Sequence, residues 1–344
     1  MTERADSASD AAAAGSVLLG ELHGVFRAGA LRAVAVHRIA DHLAEGALHP
    51  EELGRRSGMH GPSLRRVLRL LASRGIFRED EQGRFHLTSA AELLRAEAPG
   101  SQLDLVLLLT DGLFWNSTAR LDEVIRSGKP VFEAIFGSPF FEYLAERPEA
   151  QMLFDRGMAS LATVNDSVIA EAYGFSGGTV IADIGGGRGG LLRSVLERHS
   201  TLRGILFDKE QVVKEHVLDT SALAGRWRIE SGDFFVSVPA GATFYILKQI
   251  LHDWSDDDCL RILRSCQRAM NADSRLLVVD TVLPSGNDPH PAKAVDIIMM
   301  SMLGGKERSA AEFTELLAEA GFTVIRVLAT QSSTSIIEAR RRLR

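Results

Sequence analysis

The fold class is decided by the stretch Val180-Ile-Ala-Asp-Ile-Gly-Gly-Gly-Arg-Gly-Gly190. A short apolar run ends there in a glycine-rich turn, and a helical pattern over residues 191–198 follows at once. Glycines in such a turn let a ligand approach the backbone, and open α/β sheets bind their ligands at the carboxyl ends of the strands. The stretch therefore predicts a Rossmann-like α/β domain with a ligand at the glycine turn.

The glycine spacing alone leaves two ligand classes open. A Gly-x-Gly-x-x-Gly pattern from Gly185 matches the dinucleotide fingerprint, whereas an Asp-x-Gly-x-Gly-x-Gly pattern from Asp183 matches the version seen in adenosylmethionine-binding proteins. Both ligands carry ribose hydroxyls that an acidic residue at the end of the next strand can bind, and Asp208 lies there.

Apolar runs recur after the glycine turn, and helical patterns separate most of them, which predicts a mostly parallel sheet with helices on both faces. The runs are 202–207, 227–230, 242–248, 276–280, 324–328 and 335–338. The last run follows its predecessor after a short polar link without a helix, so we expect it to be antiparallel.

The chain before this region is mainly helical. Helical patterns at Pro50–Ser57 and Pro62–Ser73 precede two short strands, 76–78 and 84–87, which is the order of a winged helix. Residues 101–173 continue with helical patterns. We therefore predict three parts: a helical and winged-helix domain at 1–100, a helical connector at 101–175, and the α/β domain at 176–344.

Charge and length exclude several classes of protein. The 344 residues carry 39 basic and 45 acidic side chains, a net charge of −6, which disfavours nucleic acid or an anionic membrane as the main partner. No stretch approaches the about 18 consecutive apolar residues of a membrane helix, and the opening residues lack a secretory pattern. Cys259 and Cys266 have no disulfide or metal-site spacing. We expect a cytoplasmic protein with no nucleic-acid or membrane partner and no metal.

Two motifs downstream carry chemistry. Gly232-Asp233-Phe234 follows the third strand and places a carboxylate that can accept from an adenine amine beside a ring that can cover its face. The fourth strand ends at Lys248 and is followed by His252-Asp253-Trp254. A histidine at the carboxyl end of a strand lies where α/β sheets bind ligands.

These motifs, in this order, resemble S-adenosylmethionine (SAM)-dependent small-molecule O-methyltransferases of the plant caffeate/flavonoid and bacterial polyketide type. Phe141-Glu-Tyr-Leu144, Gly304-Gly-Lys-Glu-Arg308 and Ala320-Gly-Phe322 extend the resemblance over nearly the whole chain. It implies a class I methyltransferase domain, SAM as cofactor with S-adenosylhomocysteine (SAH) as product, and a homodimer joined through the N-terminal domain. The activity it implies is methylation of a phenolic or polyketide-like hydroxyl in secondary metabolism.

The resemblance also implies roles for individual residues. With the glycine pattern, it predicts cofactor contacts for Asp183, Gly185, Gly187, Asp208, Asp233, Phe234 and Lys248. It predicts His252 as general base, flanked by Asp280 and Glu307. Two departures are present: Asp280 stands where plant members commonly carry Glu, and Phe207-Asp-Lys-Glu-Gln-Val212 replaces the usual Asp-Leu-Pro or Asp-Arg-Pro wording.

A base suits this reaction on chemical grounds. A phenol with a pKa of about 10 and a histidine at about 6.5 differ by about 3.5 units, or roughly 5 kcal/mol for full proton transfer. A carboxylate on the far ring nitrogen fixes the tautomer and stabilises the imidazolium. Asp280 and Glu307 are both candidates for this role, although Glu307 can instead pair with Lys306 or Arg308 on the surface.

The acceptor site is less defined. Aromatic and methionine side chains suit a planar apolar acceptor, and Asp253 either contacts that acceptor or caps the next helix. The predicted substrate-binding residues are Asp253, Trp115, Phe154, Met158 and Met299. The two alternative functions are an NAD(P)-dependent dehydrogenase and a metabolite-sensing winged-helix transcription regulator.

Overall fold

The structure is a computed structural model that describes residues 13–176 and 179–342. The chain divides into two compact units. One contains the residues up to Gly112 together with Glu149–Leu161, and the other contains Leu113–Pro148 and the chain from Ala162 onward. The division at residues 100 and 175 stays a prediction.

The first unit contains the winged helix that the sequence predicts. Residues 13–22 are helical and precede the elements α1 (Gly24–Val36), α2 (Ile39–His42), α3 (Pro50–Ser57), α4 (Gly61–Ala72), β1 (Phe77–Glu79) and β2 (Phe85–Leu87). The two strands pair antiparallel, with Phe77 opposite Leu87. Leu53 of α3, Leu68 of α4 and Phe85 are fully buried and form the core of this domain. Apolar residues at helical spacing on α3 and α4 therefore meet the buried face of the wing.

Short helices connect the winged helix to the α/β domain. They are α5 (Ser89–Glu92), α6 (Leu103–Leu109), α7 (Gly112–Thr118), α8 (Leu121–Ser127), α9 (Phe132–Phe136), α10 (Phe140–Ala145) and the long α11 (Pro148–Ala172). Glycines in the left-handed conformation end α8 and α9, at Gly128 and Gly137.

The second unit contains a seven-stranded sheet in the order β5-β4-β3-β6-β7-β9-β8. The strands are β3 (Val180–Ile184), β4 (Arg203–Asp208), β5 (Trp227–Ser231), β6 (Phe244–Lys248), β7 (Arg275–Asp280), β8 (Phe322–Ala329) and β9 (Ser335–Arg341). The first five run parallel, and β9 lies between β7 and β8 and is antiparallel to both. The predicted fold class, a mostly parallel sheet with an antiparallel last strand, is confirmed.

Helices cover both faces of this sheet. They are α12 (Gly190–Arg198), α13 (Glu210–Val213), α14 (Asp256–Ala269), α15 (Pro291–Met302) and α16 (Ala310–Glu319). Leu263 of α14 and Phe313 of α16 pack in one buried cluster, and Leu192 of α12 packs in the other. Strands buried on both faces are continuously apolar, which is why residues 276–279 show no alternation.

The topology places the carboxyl ends of the parallel strands at one edge of the sheet. Asp208 ends β4, Lys248 ends β6 and Asp280 ends β7. The glycine turn follows β3 at the same edge. Within the described ranges, no helix combines the length and apolarity needed to cross a membrane.

Candidate active site

The glycine turn after β3 is shaped by close backbone contacts. Gly185 has φ +68°, and a Cβ atom there would lie 2.5 Å from Cδ1 of Ile250, so neither the conformation nor the space suits another residue. The same Cβ position lies 3.5 Å from the ring of Phe234. The structure therefore brings Gly185 and Phe234 together, and their contact with the cofactor stays a prediction.

Asp208 fixes the turn to the end of β4. Its Oδ2 accepts from the N–H of Gly187 at 2.8 Å, and its Oδ1 accepts from the N–H of Lys209 at 2.7 Å. Burial raises the pKa of Asp208, and these two hydrogen bonds oppose that change. Because a carboxylate has about four acceptor positions, Asp208 keeps capacity for ligand hydroxyls.

A buried charge cluster lies beside the turn. Burial raises the pKa of Asp183 to about 7, and the positive charge of Lys248 opposes that change. The Nζ of Lys248 forms an ion pair with Asp166 of α11, whose side chain is also buried. A Cβ at Gly190 would lie 2.5 Å from Oδ2 of Asp166, so glycine at this position leaves room for that carboxylate.

Asp166 was not predicted from the sequence. It lies on a long helix, 82 residues before its partner Lys248, and no motif marks it. The pairing exists only because the end of α11 reaches the carboxyl edge of the sheet.

Asp233 and Phe234 follow β5. Asp233 is exposed, and its Oδ1 accepts from the N–H of Phe235 at 2.8 Å, so the carboxylate organises its own turn. Phe234 is half-buried and meets Trp254 edge-to-face, with 6.0 Å between ring centroids. This contact joins the turn after β5 to the loop that carries His252.

His252 lies on a 3₁₀ turn, Leu251–Asp253, directly after β6. Its Nδ1 is 2.9 Å from Oε1 of Glu307 and 3.6 Å from Oδ1 of Asp280, and its Nε2 is 3.4 Å from Oδ1 of Asp253. Glu307 is therefore the carboxylate that hydrogen-bonds Nδ1, and Asp280 is a second negative charge near the same nitrogen.

Two opposing effects set the protonation of His252. Burial lowers its pKa, but the charges of Asp280 and Asp253 and the hydrogen bond to Glu307 outweigh burial and raise it to about 10. Burial has the opposite effect on the acidic groups: it raises the pKa of Asp280 to about 7 and that of Asp253 to about 6. The ring is therefore a stronger base than a free histidine.

The structure decides two alternatives that the sequence leaves open. Glu307 is 3% exposed and bonds His252, so the surface pairing with Lys306 or Arg308 is wrong. Ser255 caps α14 by accepting from the N–H of Asp258, so the capping role considered for Asp253 is wrong.

The predicted substrate residues lie in different elements. Trp115 lies on α7 and Met299 on α15, and both are half-buried. Phe154 and Met158 lie on the part of α11 that belongs to the first unit. Their contact with an acceptor stays a prediction.

The cluster around the base also has the composition of a metal site. His252, Asp280 and Glu307 each offer one ligand atom, and these atoms lie within 4.8 Å of one another. The 2.9 Å contact of Nδ1 with Glu307 already accounts for that nitrogen as a hydrogen-bond donor. Metal independence stays a prediction.

Comparison with known families decides the identity. A family model described as an O-methyltransferase domain matches residues 118–323, and one described as an O-methyltransferase dimerisation domain matches residues 21–97. The chain belongs to the O-methyltransferase family. It is a SAM-dependent O-methyltransferase, which decides against a dehydrogenase as the meaning of the glycine spacing.

Known relatives and solved structures agree with this O-methyltransferase assignment. The chain is 39% identical over 327 residues to the phenazine O-methyltransferase PhzM of Lysobacter antibioticus, covering 94% of this chain and 96% of that protein. The SAH-bound structure of CalO1, a methyltransferase in calicheamicin biosynthesis, is 40% identical with a TM-score of 0.87, covering 95% of this chain and 98% of that one.

A third match shows both ligands of such an enzyme. NcsB1, an O-methyltransferase from neocarzinostatin biosynthesis, was solved with SAM and 2-hydroxy-5-methyl naphthoic acid. It is 33% identical with a TM-score of 0.78, covering 91% of this chain and 95% of that one.

Proposed function

We propose that this O-methyltransferase transfers the methyl group of SAM to a hydroxyl of an aromatic secondary metabolite, with His252 as general base. One observation carries the proposal: Glu307 engages Nδ1 of His252 at 2.9 Å. This leaves Nε2 as the ring nitrogen that can accept a proton.

The residues of the second unit fit SAM. The glycine turn allows close approach to its backbone, Asp208 would hold the ribose hydroxyls, Asp233 the adenine amine, and Phe234 the face of the adenine. Asp183, Gly187 and Lys248 complete the predicted cofactor site. When bound, SAM supplies a methyl group on a positively charged sulfur, which acidic side chains favour electrostatically.

His252 moves the proton. The acceptor hydroxyl would give its proton to Nε2 while Nδ1–H donates to Glu307. Bound SAM would supply the methyl carbon to the acceptor oxygen, and the electron pair of the broken carbon–sulfur bond would stay on the sulfur of SAH. The raised pKa of His252 narrows its difference from a phenol of about 10, so proton transfer costs less than the roughly 5 kcal/mol of an ordinary histidine. Only the unprotonated ring accepts, so we expect the rate to rise with pH above neutrality.

The aromatic acceptor is supported by the composition around the base and by relatives. Trp254 follows Asp253 and stacks on Phe141, with 5.9 Å between ring centroids, so apolar rings line the loop that carries His252. The relative PhzM is named as a phenazine O-methyltransferase, and NcsB1 was solved with a hydroxynaphthoic acid. We propose that Trp115, Phe154, Met158 and Met299 contact the acceptor with Asp253.

We propose that the enzyme is a homodimer. Several apolar side chains of the N-terminal helices are 55–67% exposed, and a patch of this kind marks an interaction surface. They are Val17, Leu18, Leu19, Leu22, Val25 and Phe26. Light scattering should show a dimer for the wild type and for Ile125→Asp, and a monomer for Phe26→Asp; a dimeric Phe26→Asp would contradict this interface.

The domain division, the location in the cell and the absence of a nucleic-acid partner are also predictions. We keep the three-part division, with 1–100 as the dimerisation domain, 101–175 as a connector that contributes to the substrate pocket, and 176–344 as the catalytic domain. Cytoplasmic location and the absence of a nucleic-acid partner stay predictions.

An acceptor screen tests the proposed function. The enzyme is incubated with SAM and matched naphthols, naphthylamines and aliphatic alcohols, and products are identified by mass spectrometry. We expect the mass of one methyl group to be added to naphthols, with equimolar SAH. Methylation confined to amines or to aliphatic alcohols would contradict the proposed acceptor class.

A further inference from the structure

We propose that Arg308 is a positioning residue for the general base, because it fixes the backbone of the loop Leu251–Trp254 on both sides of His252. The inference rests on the proposed function of His252. It concerns a residue that touches neither the ring of His252 nor its carboxylates, and that sequence analysis considered only as a surface partner.

The contacts of Arg308 bracket His252. The guanidinium is 1% exposed. Its Nη1 donates to the carbonyl oxygen of Leu251 at 2.7 Å, and its Nη2 donates to the carbonyl oxygen of Trp254 at 3.1 Å. Leu251 is the residue before His252, and Trp254 is the last residue before the cap of α14. Both ends of the loop are therefore held by one rigid group.

A carboxylate holds the guanidinium in turn. Oδ1 of Asp256 accepts from Nε of Arg308 at 3.1 Å and from Nη2 at 2.7 Å. Asp256 is the first residue of α14, so Arg308 connects the loop Leu251–Trp254 to that helix. The thiol of Cys259 on the same helix donates to the carbonyl of Leu251 at 3.1 Å. A buried arginine with a carboxylate and carbonyl partners has its charge and donors satisfied.

The segment that carries Arg308 touches the base at two other points. A Cβ at Gly305 would lie 2.0 Å from the carbonyl oxygen of His252, so this backbone packs directly on the base loop. Glu307 bonds the ring itself. Glu307 and Arg308 are adjacent in the chain, and their side chains have different partners: Glu307 bonds the ring, and Arg308 bonds the loop carbonyls.

The residues that follow strand β7 support this segment. Arg308 forms an isolated parallel bridge with Val282, and the N–H of Leu283 donates to the carbonyl of Arg308 at 2.9 Å. Val282 lies two residues after Asp280, the second carboxylate near His252. Asp280, Glu307 and Arg308 therefore lie on two hydrogen-bonded segments of backbone. Arg308 fixes the backbone on either side of His252 relative to those segments.

Lysine cannot replace arginine in this role. The guanidinium is a planar fork with five donors, which lets it reach two carbonyls and one carboxylate together. An ammonium presents three donors from one point, so Arg308→Lys keeps the charge but loses some of the hydrogen bonds to the two carbonyls and the carboxylate. Lys306 supplies a matched control, because its Nζ bonds Oδ2 of the same Asp256 at 2.8 Å from an exposed position.

The test measures the His252–Glu307 hydrogen bond itself. Proton NMR of the full-length enzyme saturated with SAH should show a downfield imidazole N–H resonance, since a hydrogen bond to a carboxylate deshields the proton and protects it from exchange. His252→Ala assigns the resonance by its loss. We expect Arg308→Met and Arg308→Lys to lose or broaden it, and Lys306→Met to keep it.

Calorimetry with SAH separates positioning from misfolding. We expect the Arg308 variants to bind one SAH per chain with wild-type affinity while kcat for a naphthol falls about 10- to 100-fold, a loss that a smaller folded fraction would not produce at full SAH stoichiometry. If Arg308→Met fails to fold, Arg308→Lys carries the test.

Two results would overturn the inference. An unchanged resonance and kcat in a folded Arg308 variant would remove Arg308 from positioning while leaving the proposed function intact. A wild-type enzyme without the resonance would count against the His252–Glu307 pair on which both rest.

Discussion

Glu307 and Asp280 act on the same atom of His252 from different distances. Oε1 of Glu307 lies 2.9 Å from Nδ1, whereas Oδ1 of Asp280 lies 3.6 Å from it. The first distance is a hydrogen bond that fixes the ring, and the second is a charge interaction without a bond. The sequence names both residues as candidates, and the structure divides orientation and charge between them.

Both carboxylates raise the pKa of His252, so removing the charge of either one should change the pH profile of the reaction. Asp280→Asn removes a charge that raises the pKa of His252, so the limb along which kcat/KM rises with pH should move to lower pH by roughly one unit or more. The plateau rate should fall up to about tenfold because the ring becomes a weaker base. Rate profiles from about pH 6 to about pH 11 measure both effects, because the wild-type plateau is approached only above the pKa of His252.

A second charge-removing variant and an exposed control complete the comparison of pH profiles. Glu307→Gln removes charge but keeps a carbonyl that accepts from Nδ1–H, so its limb should also move down while KM is kept. Glu315→Gln, exposed on α16, should leave the profile unchanged. A limb that moves to higher pH in Asp280→Asn would show that Asp280 does not raise the pKa of His252.

Asp208 gives a prediction about cofactor affinity. Asp208→Asn removes the charged acceptor at the end of β4, and hydrogen bonds to charged groups contribute about 1.5–3 kcal/mol, so SAH should bind roughly 10- to 100-fold more weakly. Calorimetry with SAH measures this change, and NADH should not bind. Glu210→Gln, exposed two residues later, is the control; equal affinity of Asp208→Asn and the wild type would remove Asp208 from the site.

Gly305 gives a prediction about placement of the base. In Gly305→Ala the new methyl group would lie 2.0 Å from the carbonyl oxygen of His252, so the loop must move. A displacement of about 1 Å costs roughly 10²-fold in rate, and SAH affinity should stay within about twofold. Gly174→Ala, with no atom within 4 Å of its Cβ position, is the matched control. Wild-type turnover in Gly305→Ala would show that the loop tolerates displacement.

Metal removal tests the cluster of His252, Asp280 and Glu307. Since Nδ1 is engaged by Glu307, we expect dialysis against a chelator to leave kcat unchanged within about twofold. Elemental analysis of the dialysed enzyme confirms the removal. Loss of activity that a divalent cation restores would assign the cluster to a metal.

Local patterns made much of the fold predictable. The strand into the glycine turn and the antiparallel β9 follow from hydrophobic runs, turn residues and the length of links. The capping box of Ser309 and Glu312 at the start of α16 is likewise local. The insertion of β9 between β7 and β8 was beyond reach, because pairing order in a sheet depends on packing of distant segments.

The site was predictable where a motif marks it. His252, Asp280 and Glu307 were named, and they come together around one ring. Asp166 and the buried role of Arg308 were not predicted, since an ion pair over 82 residues and a bond to loop carbonyls over 54–57 residues leave no local pattern. The raised pKa of His252 also depends on three carboxylates that only the fold assembles.

The turnover of His252→Ala, measured beside its affinity for SAH, tests the role of His252 as general base. We predict a fall in kcat of about 10² or more with SAH affinity unchanged within about twofold, and no effect of the exposed control His37→Ala. Wild-type turnover by a His252→Ala enzyme that binds SAH normally would contradict the account, because no proton would then need to pass through His252.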